Sequence, residues 1–489
     1  MKAILMKISL SKILRGAALV LALLASDARA FSLLGPFNSW QVNGLGYQFN
    51  EDIGGPMTLH EGFRWNVPLV TYAFDKSFID YFGPDGVRAV NEAFQYFNDL
   101  DAANKTSAEL DEYSTSTLRV NYEAQALGLL DIKSQVMSVM MEEMGLATPI
   151  RYVFTLRART VTTVGMVART NYTTIMRNYD PVSLTLSPYV NGTLYTFENV
   201  EISGPPFDYA DAREIAINKT FDEVLESIPV ADGLPLSGVF FSGLTRDDVG
   251  GLRFQLNPNN YAVESLLPSV SAGGSSSGSG GWIPFIGITN ATTVTNLVFQ
   301  TGASTNLVVT GLRGGRNKIK FKQVRFDSLI GSGFTALTNN YTDTTVTNFT
   351  AVIQQVQRAI TQPDIIFVAE DLGLAIDNLT PFAFRRTGTA GWIDNDAING
   401  SDETALSHGP GVIPPQVRIS FTDQYPYFIT RNLNGEIPGE DTSFSGFFAP
   451  VRAWGLFDGS TNPPIVFSAT GPVPLQELRQ KVLHPTPVP

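Results

Sequence analysis

The 489-residue chain contains no cysteine, and that absence decides what can hold it together. Disulfide staples, cysteine-ligated zinc and iron–sulfur clusters are all excluded. Stability must come from ordinary apolar cores. With 43% of its residues hydrophobic, a chain of this length supplies two or three such cores unaided.

The absence matters because the first thirty residues read as an export leader. Lys2, Lys7, Lys12 and Arg15 give a cationic start. Residues 16–25 form an apolar run too short to span a bilayer as a mature helix, and Ala28-Arg29-Ala30 is a small-residue cleavage site. The mature chain is expected to begin at Phe31 and to work in the periplasm, at the cell surface or in the medium. No later segment approaches about 18 uninterrupted apolar residues, so no membrane span is expected after cleavage. The net charge of −12 becomes more negative without the basic leader, which disfavours nucleic acid and anionic lipid as partners.

Along the chain the texture changes once. Residues 67–75 are β-branched and aromatic and predict a strand. Val87, Val90, Phe94 and Phe97 recur at helical spacing and predict a helix over 85–99, and a second is expected over 130–144, ended by Gly145. Its Met137, Met140, Met141 and Met144 suit core filling. Asn191-Gly192 predicts a tight hairpin. A third helix is expected over 209–227, and Thr245 followed by Asp248 signals a capped fourth. These elements predict an α+β domain over 31–270, joined by the Gly/Ser linker 271–281 to a mainly-β, sandwich-like region over 282–470 and a tail over 471–489. In that region strand cues recur at 297–300, 306–310, 317–326, 364–369, 417–421 and 465–468.

Few residues carry an obvious chemistry. His60, His408 and His484 are too far apart for a helical zinc motif, and Gly274–Gly278 matches the nucleophile-elbow pattern only by linker composition. Glu370 and Asp371 close an apolar run and are the first candidates for a carboxylate pair. Asp394, Asp396, Asn399, Asp402 and Glu403 crowd oxygen ligands into one loop that suits calcium, although Gly400 stands one place late for an EF-hand. Arg313, Arg316, Lys318, Lys320 and Lys322 run against the global charge. On a strand the three lysines share one face, opposite Ile319 and Phe321, and offer a row of ammonium groups to an acidic glycan or an acidic subunit. Lysines on an edge strand also serve to prevent unwanted pairing.

Residues 65–74, followed by Val87-Arg88-Ala89-Val90-Asn91-Glu92-Ala93-Phe94, resemble the opening strand and helix of matrixin-type metalloproteases. Leu244-Thr245-Arg246-Asp247-Asp248-Val249-Gly250-Gly251-Leu252 is similar to the last helix of that fold. No segment carries the family's zinc motif, so the resemblance implies a scaffold without its metal or its glutamate base. The chain as a whole also resembles secreted bacterial proteins that pair such a region with a Thr/Asn-rich β region, a likeness that implies no activity. The expected function is non-catalytic: an extracellular or cell-surface structural or adhesive protein that self-associates or binds a glycan through its β-rich half. The alternative is a secreted carbohydrate-active hydrolase using two carboxylates.

Overall fold

The structure, a computed structural model, describes residues 30–36, 53–59, 63–165, 167–202, 209–233, 236–272, 307–326, 334–347, 350–369, 383–388, 411–412, 417–422, 431–432 and 453–467. Strands dominate it, arranged in several sheets, and helices are few. In chain order the elements that matter below are β1 (Phe31–Pro36), β2 (Leu69–Phe74), α1 (Lys76–Asp99), α2 (Ile132–Glu143), β3 (Thr155–Val164), β4 (Val167–Ile175), β5 (Thr193–Ile202), β6 (Tyr209–Ala216) and α3 (Arg246–Leu256). They continue with β7 (Ala262–Ser265), β8 (Val270–Ala272), β9 (Thr310–Arg313), β10 (Lys320–Gln323), β11 (Leu337–Thr347), β12 (Thr350–Ile360), β13 (Ile365–Ala369), β14 (Ala383–Gly388) and β15 (Val417–Thr422).

The central sheet has the order β10-β2-β13-β15-β14, extended by Arg431–Asn432. Its first four strands are mutually parallel, and β14 is antiparallel to β15. Parallel strands are covered on both faces and read as continuous apolar runs, which is how Ile365-Ile366-Phe367-Val368 in β13 reads.

Helix α1 covers one face of this sheet. Asp75 caps it by accepting from the Ser77 N–H at 2.8 Å, and Gly83, at φ 59°, kinks it immediately before Pro84. That break makes the sequence look like a helix start near residue 85, whereas the helix begins about two and a half turns earlier, at Lys76. Phe78, Phe82, Ala89, Val90, Ala93, Phe94 and Phe97 form its buried stripe. Tyr72 stacks on Phe94 at 3.9 Å, Phe94 meets Phe321 at 5.1 Å, and Phe82 meets Phe421 and Phe467, each at 5.2 Å.

These contacts correct the expected division of the chain. Ser271 and Ala272, placed in the linker by composition, lie in β8 and pair with β12. Strand β2 sits between β10 and β13, and one core cluster runs from Phe31 to Phe467. The two regions therefore share a sheet and a core. Glycine and serine content reports local stiffness and carries no information on which distant strands pair.

A second sheet, antiparallel throughout, has the order β7-β9-β11-β12-β8. The helix expected over 209–227 is instead β6, in register with β5 over eight pairs, followed by the short helix Phe221–Glu226. The hairpin at Asn191-Gly192 forms with φ of 42° and 79°, as a type I′ turn requires. Helix α3 has the Thr245/Asp248 capping box.

Candidate functional site

The basic segment splits into two environments. Strand β10 ends the central sheet, with Ile319 and Phe321 buried and Lys318, Lys320 and Lys322 exposed on the opposite side. Phe321 packs on Phe94 and Phe97, so the apolar residues fix the strand's face and the alternation turns the lysines outward. The Lys318 ammonium donates to the Leu100 carbonyl at 2.7 Å. Beside it a crevice is lined by Phe97, Leu100, Asp101, Leu252 and Arg253.

Arg313 and Arg316 are withdrawn from that row. Arg313 is 1% exposed, and its guanidinium grips the buried Asp343 carboxylate with Nε 3.1 Å from both oxygens and Nη2 3.0 Å from Oδ2. Arg316 reaches Oδ1 of the same carboxylate at 2.9 Å and lies 5.1 Å over the Tyr341 ring. Gln354 donates to Oδ2 at 2.7 Å. Burial pushes the Asp343 carboxyl up, but the Arg313 charge and hydrogen bonds, the Arg316 charge and the Gln354 hydrogen bond together outweigh it and hold the group below the usual carboxylate range. A bidentate fork suits a guanidinium and not an ammonium, which is why the arginines of the segment go inward and the lysines outward.

Two further buried pairs extend this seam. Arg358 bridges Asp364, which accepts from the Thr71 N–H at 2.8 Å and the Thr71 hydroxyl at 3.0 Å. Arg64 bonds Glu264 at 2.6 Å and donates to the Arg313 carbonyl at 3.2 Å. The seam thus fastens the antiparallel sheet to β2 and to the segment just before it. Its acids, Asp343, Asp364 and Glu264, carry no local motif. The one available signal is the parity of Tyr341, Asp343 and Thr345 in an alternating strand.

Helix α2 is buried on every side, from Ile132 to Glu143. Asp131 caps it through the Ser134 N–H at 2.9 Å and the Ser134 hydroxyl at 2.5 Å. Burial pushes the Asp131 carboxyl up to about 6, with Lys133 and the Ser134 hydrogen bonds opposing. The helix stops at Gly145, whose φ of 91° and whose missing Cβ, which would sit 1.7 Å from the Phe63 carbonyl oxygen, both demand glycine. Trp65 Nε1 donates to the Glu143 carbonyl at 2.5 Å.

Zinc proteases of the metzincin type place ligands at the spacing H-E-x-x-H-x-x-G-x-x-H. Counting back from Gly145, those ligand positions hold Ser138, Glu142 and Thr148, and the base position holds Val139. Among the described residues no three His, Asp or Glu side chains are grouped to hold a metal. The loop with Asp394, Asp396, Asn399, Asp402 and Glu403, the acids Glu370 and Asp371, and all three histidines lie outside the described residues.

Asp247 has a role the sequence did not reveal. Its neighbour Asp248 completes the capping box with Thr245 and accepts from the Thr245 N–H at 2.8 Å and the Val230 N–H at 2.9 Å. Asp247 Oδ2 accepts instead from the Ala30 N–H at 2.8 Å and the Asn191 N–H at 2.7 Å. Among the described residues no helix is long and apolar enough to cross a membrane. No family model, no curated protein and no solved structure matches the chain.

Proposed function

We propose that the chain is an exported structural or adhesive protein that associates with further copies of itself through its strand ribbons. The observation that carries the reading is the ribbon β3–β4. Its two strands pair with each other over nine residue pairs and, among the described residues, with no other strand. At its base Leu156, Ala212, Phe154 and Tyr172 pack together, and Thr174 donates to Asn199 at 3.1 Å. Beyond the base Thr160, Val161, Thr162 and Thr163 are exposed. A long ribbon with open edges and β-branched residues in water is a template for strand addition.

The rest of the molecule supports a non-catalytic role in the same direction. The helix that would hold the metal of a matrixin-like scaffold carries serine, valine and glutamate at the ligand and base positions and is closed to solvent. Export is part of the proposal, resting on the leader pattern of residues 1–30.

The test is light scattering on chromatographed protein beginning at Phe31, compared with a variant carrying Val161→Lys and Thr163→Lys. Assemblies larger than the monomer, weakened at least tenfold by the two charges, are expected. A strict monomer at high concentration, or assemblies indifferent to both substitutions, overturns the reading.

A second reading rests on the exposed row Lys318, Lys320 and Lys322: an acidic glycan bound by charge complementarity. Retention on a sulfated polysaccharide column, lost in Lys320→Glu/Lys322→Glu, tests it.

A further inference from the structure

The ionic seam has more donors than acceptors. Among the described residues Arg64, Arg313, Arg316 and Arg358 face Glu264, Asp343 and Asp364, which leaves one positive charge in excess. The carboxylates along β11 and β12 are fully engaged. Asp343 accepts from Arg313, Arg316 and Gln354, and Asp364 accepts from Arg358 and from both donors of Thr71. Gln354 is satisfied as well, since its amide also donates to the Val308 carbonyl and its oxygen accepts from the Val308 N–H, each at 2.9 Å.

What remains at the Arg358 end is a set of donors. Arg358 is 1% exposed and holds Asp364 through its two Nη atoms, but its Nε has no partner. Asn339 stands directly opposite Arg358 in the β11–β12 pair, and its Nδ2 is also buried without a partner. Tyr341, two residues along on the same inward face, is 9% exposed and has an unpartnered buried hydroxyl. Opposed residues of an antiparallel pair bring their Cβ atoms within about 5.5 Å, and a diagonal neighbour stays within reach of an aromatic side chain. Burial pushes the Tyr341 phenol up, with the charges of Arg316, Arg358 and Arg313 opposing and Asp343 adding. The hydroxyl therefore keeps its proton and stands among guanidinium groups.

We propose that Arg358, Asn339 and Tyr341 hold a small monovalent anion, chloride in a saline medium, as a working part of the sheet. A water molecule suits these groups poorly: it satisfies two donors and then strands two hydrogens of its own, because the nearby carboxylates and Gln354 are taken. A halide only accepts, and its contact with the guanidinium Nε is charge-assisted. Its single charge also cancels the excess of the seam, whereas sulfate or phosphate brings more charge than there is to cancel. Bound there, the ion ties β11 to β12 from inside and relieves a buried cation that is otherwise costly. The site depends neither on export nor on self-association.

The experiment is urea unfolding of the full chain at constant ionic strength, with sodium chloride exchanged stepwise for sodium gluconate, whose anion is too large for the site. Once chloride is well above its dissociation constant, each tenfold rise is expected to lower the unfolding constant about tenfold, as for one ligand bound only by the folded state. Bromide is expected to replace chloride, and crystals grown in bromide to show an anomalous peak between Arg358 Nε and Asn339 Nδ2. Asn339→Asp sets a fixed carboxylate opposite Arg358 and is expected to abolish the chloride response while unfolding in gluconate at no lower urea than the parent chain. Equal stability in chloride and gluconate overturns the proposal. A chloride response that survives Asn339→Asp does so too, because it places the ion elsewhere. Where that variant fails to fold, the bromide crystal decides, and no peak between the two nitrogens overturns the assignment.

Discussion

Two regions join the front of the chain to its rear by opposite means. Under α1 the joint is aromatic: Phe94 from the front packs on Phe321 and Phe367 from the rear, and Phe78 and Phe82 pack on Phe421. Along the antiparallel sheet the joint is ionic in its makings: Arg64 donates to the Arg313 carbonyl, Arg316 to the Asn66 carbonyl and the Thr71 N–H to the Asp364 carboxylate, each charged group held by its own ion partner, Glu264, Asp343 or Arg358. The aromatic joint tolerates any partner of the right volume. The ionic one accepts a single register, because a shift of one residue would turn Asp343 and Arg358 to the solvent face. Packing supplies the stability and the charges fix the alignment of β11 and β12.

The largest effects come from breaking each joint in turn. Asp343→Ala leaves Arg313 and Arg316 facing each other in the interior and is expected to cost about 3–5 kcal/mol in urea unfolding. Adding Arg313→Met and Arg316→Met to Asp343→Leu recovers most of that loss, because an apolar cluster of similar volume replaces the buried ions. Phe94→Ala is expected to cost about 3–5 kcal/mol as well, but truncating Phe321 to match recovers none of it. If the charge loss is not recovered and the aromatic one is, the contrast between the joints is wrong.

A smaller effect sharpens the contrast through pH. The folded chain holds a proton on Asp131 to about pH 6, whereas the unfolded chain releases it near 4. The folded state binds more protons between those values, so stability falls as pH rises through that window, by up to about 3 kcal/mol. Asp131→Asn removes this fall. Asp343 has the opposite sign: its lowered pKa contributes stability that is present above about pH 4 and is lost as pH falls through the folded-state value. Urea midpoints at pH 3, 4.5 and 7 for both single variants separate the two contributions.

The smallest effect belongs to the outer face of β10. Lys320→Thr with Lys322→Thr is expected to change stability by no more than about 0.5 kcal/mol, yet to raise concentration-dependent association by unguarding the sheet edge. A large stability loss here would place these lysines in the seam instead of on its outside.

What was legible in the sequence was what is local. Thr245 with Asp248, and Asn191 with Gly192, name their structures within four residues, and β10 declares its two faces by parity. Tyr209-Ala-Asp-Ala-Arg-Glu-Ile-Ala misled because alanine, arginine and glutamate favour helix. Pairing with β5 over its full length decided otherwise, a long-range term that propensity does not contain. For the same reason Arg313 resembled a surface ligand: its partner is thirty residues away on another strand. Asp247 stayed invisible because its partners are backbone N–H groups, which every sequence has.

The order of the central sheet has a consequence in time. Strand β2 is synthesised early, but its neighbours β10 and β13 come some 250 and 290 residues later. Such separations make folding slow, because a long loop must close before the pairing rewards it. Until the rear of the chain arrives, Val70 and Phe74 have no sheet to complete and the front cannot settle into a finished body. Under the export proposed above, this delay serves the chain: the topology itself postpones compaction until passage is over.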